Sequence, residues 1–79
     1  MNKETRTRLG QLHDRLKAIV SELTEIAAAE QAKFDNAPEN LQDSERVQMW
    51  QDCAYFITWI CNRLEDAANE LENNIICVY

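Results

Sequence analysis

The sequence predicts an all-α protein, an antiparallel helical hairpin of two long helices with a short helical turn between them, associating into a four-helix-bundle-type homo-oligomer. The 79 residues include one glycine and one proline, which is too little turn punctuation for a sheet. Two long stretches repeat apolar residues in steps of three and four, the spacing of a helix face. The segment 49–61, MWQDCAYFITWIC, is apolar at ten of its thirteen positions and therefore nearly all round a helix.

The first helix is predicted over about 3–33. Its apolar residues step 3, 4, 3, 4 and 3, which is a heptad seam for packing against another helix, and Val20 and Ala27 widen the stripe. Gly10 lies inside the pattern and weakens the first turns, because glycine is a poor helix former. The seam itself consists of Leu9, Leu12, Leu16, Ile19, Leu23 and Ile26.

The connector is predicted over 34–43 as an ordered segment with its own short helical turn. Asn36 tolerates the left-handed conformation that closes many helices, and Pro38 prevents the first helix from continuing. A turn of helix is expected around 38–41, with Leu41 as its apolar anchor. Asp43 or Ser44 is then expected to cap the second helix by accepting a backbone N–H.

The second helix is predicted over about 44–76. Ten apolar positions repeat without a break in steps of three and four, and this row is expected to pack along the first helix. It consists of Val47, Trp50, Ala54, Ile57, Cys61, Leu64, Ala68, Leu71, Ile75 and Val78. Whether the end of the chain, 75–79, packs inside or reaches outward stays open.

A second apolar row on the same helix needs another neighbour, because one helix cannot cover both rows. We therefore expect the protein to bind itself, most simply as a homodimer. The residues predicted at the interface between copies are Met49, Trp50, Cys53, Phe56 and Ile60.

Tyr55, Trp59 and Arg63 follow one another at steps of four, with Asp52 one turn earlier. Tyrosine and tryptophan supply large contact areas and are enriched at protein-binding hot spots. These four residues are the predicted partner-binding site. The alternative is that the aromatic residues belong to the core of the oligomer.

Charge and composition restrict the other possibilities. The net charge of −6 disfavours nucleic acid and anionic membranes as partners, and no apolar run approaches the roughly 20 residues that span a bilayer. Residues 1–20 hold five basic and two acidic groups, whereas 21–79 hold three basic and twelve acidic groups. Pairing of the basic start with the acidic end is expected to favour an antiparallel hairpin.

Catalytic and metal-binding patterns are missing from the sequence. No glycine-rich phosphate loop and no spaced Ser/His/Asp or Cys/His set is present. The single histidine, His13, falls beside the first seam, where a packed imidazole is the simplest interpretation. The three cysteines, Cys53, Cys61 and Cys77, are expected to be reduced packing residues. We therefore predict no enzyme activity, no metal and no cofactor.

The connector FDNAPENLQDSER, residues 34–46, resembles a segment of small, mostly uncharacterised phage-encoded helical proteins that follow the pattern FDNxPExLQxSER. In those proteins an amphipathic helix rich in Ala and Glu follows, whereas here Val47 and the aromatic segment follow. The resemblance implies a helical hairpin of phage origin, acting in the cytoplasm of an infected bacterial host. It supplies no catalytic residues.

The function expected from this resemblance is that of a phage accessory protein which inhibits a host defence protein by non-catalytic binding. Three alternatives stay open. They are a purely structural helical oligomer, an acidic mimic of nucleic acid, and a sponge for a nucleotide signal in which aromatic residues stack the base and Arg46 or Arg63 contacts the phosphate.

Overall fold

The computed structural model describes residues 1–78 and forms a single elongated helical hairpin. Helix α1 covers Lys3–Asp35, a 3-10 turn covers Glu39–Leu41, helix α2 covers Glu45–Leu71, and a π-helical turn covers Glu72–Ile76. No strand occurs between residues 1 and 78. The two helices run antiparallel along each other, and the principal extents are 60 × 15 × 13 Å. The predicted all-α hairpin is confirmed.

Both helices begin at side-chain caps. The Asn2 side-chain oxygen accepts a hydrogen bond of 2.8 Å from the backbone N–H of Thr5. The Ser44 hydroxyl accepts one of 3.3 Å from the backbone N–H of Val47. These contacts satisfy donors that have no partner within the helix. Of the two capping residues predicted for α2, Ser44 is the one that acts.

The connector is tied to the helix that follows it by one side-chain amide. The Gln48 side chain donates a 2.7 Å hydrogen bond to the carbonyl of Gln42. The expected helical turn is present at Glu39–Leu41. The expected left-handed conformation at Asn36 is wrong, because its φ of −91° and ψ of −4° are right-handed. A 3-10-like end, in which Ala37 N–H bonds to Phe34 O, closes the helix without a positive φ.

The residues that are fully buried between α1 and α2 have small side chains. Four buried residues of α2 recur at every seventh position, and α1 adds Ala27. Small residues at one of the two seam positions let helix axes approach closely, toward the short end of the usual 8–10 Å. Larger residues, such as Leu16 and Leu23, flank the seam and stay half-buried. The buried residues of α2 are Val47, Ala54, Cys61 and Ala68.

The predicted seam of α1 is wrong in phase, although the helix itself is confirmed. Half of the predicted positions, Leu12, Ile19 and Ile26, are exposed. In the hairpin, His13, Val20 and Ala27 face α2 instead. They lie on the same side of α1 as the leucines of the predicted seam. Smaller residues at 20 and 27 allow the close approach that isoleucine at 19 and 26 would prevent. The inward-facing residues of α1 include Leu9, His13, Leu16, Val20, Leu23, Ala27 and Phe34.

The end of α2 departs from the predicted continuous α-helix. The backbone N–H of Cys77 bonds to the carbonyl of Glu72 at 2.8 Å, five residues earlier. This wider turn rotates the following residues relative to the heptad pattern. Ile75 and Ile76 remain half-buried, but Val78 is 64% exposed, so its predicted place in the seam is wrong. Tyr79 lies outside the described residues.

Gly10 is an ordinary helical residue with room for a side chain. A Cβ built on it meets nothing within 4 Å, and its φ is not positive. Replacement by alanine is therefore expected to stabilise the protein by about 0.5–1 kcal/mol, because alanine loses less backbone entropy on folding. Urea unfolding followed by circular dichroism would measure this gain. A G10A variant that unfolds at lower urea than the wild type would contradict it.

Candidate protein-binding surfaces of the hairpin

The predicted partner-binding residues form one stripe along the outer side of α2, away from α1. The outer stripe consists of Asp52, Tyr55, Trp59 and Arg63, and all four are exposed. Tyr55 is 68% exposed and Trp59 is 51% exposed. Their spacing of three, four and four residues puts each side chain about one helical turn from the next. A carboxylate therefore lies at one end of the stripe and a guanidinium at the other.

The tryptophan of the outer stripe is held by its charged neighbour. The guanidinium carbon of Arg63 lies 4.7 Å from the centroid of the Trp59 ring, a cation–π distance. Tyr55 makes an edge contact with Phe56, with ring centroids 5.7 Å apart and planes at 74°. These contacts restrict both aromatic rings of the stripe before any partner binds. A restricted side chain loses less entropy on binding.

A groove of about 750 Å³ runs between the helices on one side of the hairpin and is bordered by part of the outer stripe; it is called the polar groove here because most of its lining residues are of polar types. Tyr55 and Asp52 stand at its α2 edge. Its charged lining residues are both acidic, Asp52 and Glu65. The rest of its lining comes from Thr24, Ala27, Ala28, Gln31, Gln51, Ala54, Thr58, Cys61 and Asn62.

One cross-helix ion pair and one contact between an imidazole and a carboxylate lie along the same side as this groove. The ammonium of Lys17 lies 3.8 Å from the Glu65 carboxylate, and His13 Nε2 lies 3.7 Å from Glu72. Of the basic groups of early α1, Lys17 thus meets an acidic residue of late α2 in the way the charge pattern predicted. Exposed pairs contribute little energy but favour one relative orientation. His13 Nε2 is buried without a hydrogen bond, which fits a packed imidazole.

The other side of the hairpin carries an apolar face to which both helices contribute. At 100° per residue, the row of α1 at 12, 19 and 26 and the row of α2 at 49, 53, 56 and 60 lie on the same side, opposite the polar groove. Every residue of these two rows is exposed, Phe56 by 59%. The apolar face consists of Leu12, Ile19, Ile26, Met49, Cys53, Phe56 and Ile60.

The predicted interface residues divide between two places. Met49, Cys53, Phe56 and Ile60 lie together on the apolar face. Trp50 is half-buried and lines a small pocket with connector residues that include Pro38 and Leu41. It therefore packs within the hairpin, and its contact with another copy stays a prediction.

Sequence reasoning missed the part of the apolar face that α1 supplies. Leu12, Ile19 and Ile26 were assigned to the seam with α2. The sequence contains a second row, through Val20 and Ala27, which also has steps of three and four. Because that row can face α2, the sequence could have shown that the first row is available for another neighbour. Two overlapping seams on one helix indicate two neighbours.

Two further properties of residues 1–78 bear on the class of site. No helix of that part of the chain is both long and apolar enough to cross a membrane. Nor do three or more His, Cys, Asp or Glu side chains of the described residues come together in a group that could hold a metal ion. Comparison of the chain with protein-family models, curated proteins and solved structures finds no match.

Proposed function

We propose that this chain is a non-catalytic binding protein that docks on a partner protein through the outer stripe of α2. The observation that carries the proposal is the exposure of Tyr55 and Trp59 after the hairpin has formed. Neither ring is used to cover the contact between α1 and α2. Monomeric proteins rarely leave adjacent large aromatic side chains in water, and such patches are typical of interaction sites.

The chemistry of the stripe suits a protein surface. Burial of Tyr55 and Trp59 supplies apolar contact area, while Arg63 and Asp52 at the two ends offer opposite charges for orientation. A partner helix or ridge with a central apolar residue, flanked by an acidic and a basic group, would match this order. Aromatic residues and arginine are the types that most often dominate binding energy.

The charges around the polar groove argue against the nucleotide sponge. Phosphate binding needs arginine, lysine or backbone N–H donors, and the charged lining residues are carboxylates. Arg46 and Arg63 do not line the groove. A nucleic-acid mimic would need an uninterrupted acidic surface, but Lys17 lies beside Glu65. Protein recognition through the aromatic pair is therefore the function that we favour.

The proposed class of partner is based on the sequence of the connector. Its resemblance to phage-encoded helical proteins leads us to propose a host protein, specifically a defence component, met in the cytoplasm of an infected bacterium. Inhibition would then result from occupation of a surface that the host protein needs, without chemistry at the contact.

The experiment is a pull-down from bacterial lysate with the tagged wild-type chain and a double variant, Y55A/W59A, followed by mass spectrometry. Proteins retained by the wild type should be lost with the variant, since truncation of two hot-spot residues typically lowers affinity by about a hundredfold or more. The matched control is T58A/N62A, which has the same spacing on α2 but lies outside the stripe.

Retention of the same partner by Y55A/W59A would contradict the proposal, provided that circular dichroism shows unchanged helicity. Loss of the partner with T58A/N62A as well would assign the contact to the polar groove. For a purified partner, titration calorimetry with the wild type and both double variants would give the affinities directly.

A further inference from the structure

We propose that the apolar face is the docking site for one amphipathic helix of another protein, and that this helix carries acidic residues where it lies on α1. The inference concerns the side of the hairpin that lies away from the polar groove. It specifies the shape and the charge of the bound segment, and it does not depend on the proposed contact through Tyr55 and Trp59.

The apolar face is a diagonal band, because the two helices hold a fixed register. Lys17 Nζ lies 3.8 Å from the Glu65 carboxylate, and Cys61 Sγ lies 3.8 Å from Thr24 Oγ1. These contacts place the first half of α1 beside the second half of α2. The α1 part of the face therefore lies near the chain termini, and the α2 part lies near the connector.

The dimensions of the band are those of one helix. Met49 is level with Phe34, so the band is about 33 Å long from Leu12 to Met49, at 1.5 Å per residue. Over this length it passes from one helix to the other, and the two parts meet only near Ile26 and Phe56. Elsewhere the exposed apolar side chains at a given level come from one helix, so the band is about 10 Å wide. A single helix of about 22 residues, lying slightly oblique to the hairpin, matches this shape.

Two copies of the chain packed side by side would leave much of this band in water. A two-fold axis along the hairpin would set the α1 part of each copy against residues 61–71 of the other, which include no exposed large apolar side chain. An axis across the hairpin would pair either the two α1 parts or the two α2 parts, and not both. A single helix that follows the band covers both parts, and it is therefore the occupant that we assign.

The α1 part of the face alternates apolar and basic residues. Arg8, Leu12, Arg15 and Ile19 follow one another in steps of four, three and four and lie within about 60° of one another around the helix. Both arginines are exposed, and neither takes part in an ion pair within residues 1–78. A chain with a net charge of −6 thus presents two guanidinium groups beside an apolar row.

These arginines select the charge of the occupant. Arginine binds carboxylates through paired N–H donors, and such contacts are among the stronger hydrogen bonds of proteins. An acidic helix on the α1 part would bring carboxylates beside Arg8 and Arg15, whereas a basic helix would be repelled there. Near the connector, Glu30 is already paired with Lys33 at 2.8 Å, so this pair adds no net charge to the α2 part. A bilayer of anionic lipid is a poorer occupant, because it repels the chain as a whole.

Two synthetic helices of about 22 residues serve as probes. Both have leucine at alternating steps of three and four, and the positions beside the leucines are glutamate in one peptide and lysine in the other. Fluorescence anisotropy of the labelled peptides measures their affinity for the wild-type chain. The glutamate peptide should bind about tenfold more tightly or better, because its carboxylates meet the arginines of the face. The net charge of −6 alone would give the opposite order, so the two explanations are separated.

Charge reversal of the two arginines tests their role directly. R8E/R15E should weaken binding of the glutamate peptide by about tenfold or more and strengthen binding of the lysine peptide. K3E/R6E is the matched control, because it changes the charge of α1 by the same amount on the opposite side of the helix. This control should keep the preference for the glutamate peptide.

A charge in the apolar band tests the position of the bound helix. F56E should weaken binding of the glutamate peptide by about a hundredfold, because a carboxylate would be buried against leucines. T58E introduces the same group in the polar groove and should bind as the wild type does. Circular dichroism checks the helicity of each variant. Should F56E lose helicity, I19E provides the same test from α1.

A wild type that binds both peptides equally, prefers the lysine peptide, or binds neither at about 100 μM would overturn the proposal without any variant. Light scattering and co-sedimentation with vesicles of phosphatidylcholine and phosphatidylglycerol test the other occupants. A dimer that F56E dissociates would assign the face to a second copy, and vesicle binding that F56E abolishes would assign it to lipid; either result would overturn the proposal. None of these measurements uses the outer stripe, so the two proposed contacts can fail separately.

Discussion

Replacement of Ala68 by leucine is expected to destabilise the hairpin by about 2–3 kcal/mol, a large part of what a small domain has. Ala68 is 0% exposed and belongs to the row of α2 that faces α1. A leucine side chain has no volume to occupy there. Either the helices must separate along their length or the side chain must leave its preferred rotamer, and both cost free energy.

The adjacent Ala67 gives the matched control, because A67L adds the same atoms one residue earlier on an exposed position. Urea unfolding of both variants, followed at 222 nm, would compare them under identical conditions. The midpoint of A67L should stay close to that of the wild type, and the midpoint of A68L should fall sharply. Equal midpoints would mean that the helices are not in close contact at this position.

A charge at Cys61 is expected to have the largest single effect on folding. The thiol is buried, with Sγ 3.9 Å from the carbonyl oxygen of Val20 and 3.8 Å from Thr24 Oγ1. In C61D the carboxylate would face the Val20 carbonyl, which repels it, and the Thr24 hydroxyl could offer only one donor. An uncompensated buried charge costs about 3–5 kcal/mol, which is enough to unfold most molecules of a small protein.

N62D is the control for this change, since Asn62 is the exposed neighbour and receives the same carboxylate. Circular dichroism at 25 °C should show native helicity for N62D and a loss of most helical signal for C61D. Thermal melts would allow the stabilities of the two variants to be compared through their melting temperatures. Full helicity in C61D would show that this thiol is not enclosed between the helices.

The features that sequence reasoning predicted well depend on contacts close in the chain. The row of α2 from Val47 to Leu71 is regular and has one strong apolar stripe, so its inward face follows from helical periodicity. The cap at Ser44 depends on a backbone N–H three residues later. The end of α1 before Pro38 depends on the geometry of the proline ring alone. None of these features needs knowledge of what packs against the helix.

The wrong predictions concern places where two helix faces, or two backbone conformations, fit the local sequence almost equally well. On α1, the rows through Ile19 and through Val20 both have helical spacing, and only the tight fit against Ala54, Cys61 and Ala68 selects the row with the smaller residues. At the end of α2, the same heptad pattern continues past Leu71, while the backbone widens into a π-helical turn. Asn36 closes α1 with right-handed angles although its side chain tolerates others.

In the candidate site, too, some features could be predicted from the sequence and others depend on packing. Tyr55, Trp59, Arg63 and Asp52 were identified as a group by their spacing and residue types. Spacing alone did not distinguish an exposed stripe from an oligomer core, because both require large apolar side chains on one helix. The structure separates Tyr55 and Trp59 from the apolar face by their directions around α2, although the Tyr55 ring touches Phe56 at its edge, and it adds the α1 residues to that face.

The sequence by itself determined that the chain forms two long helices, where the second begins, and that α2 has more apolar surface than one neighbour can cover. Tertiary structure decided which row of α1 faces α2, and therefore which isoleucines and aromatic residues remain in water. The physical reason is that periodicity specifies directions around a helix axis, whereas the fit of side-chain volumes between two axes decides which direction is buried.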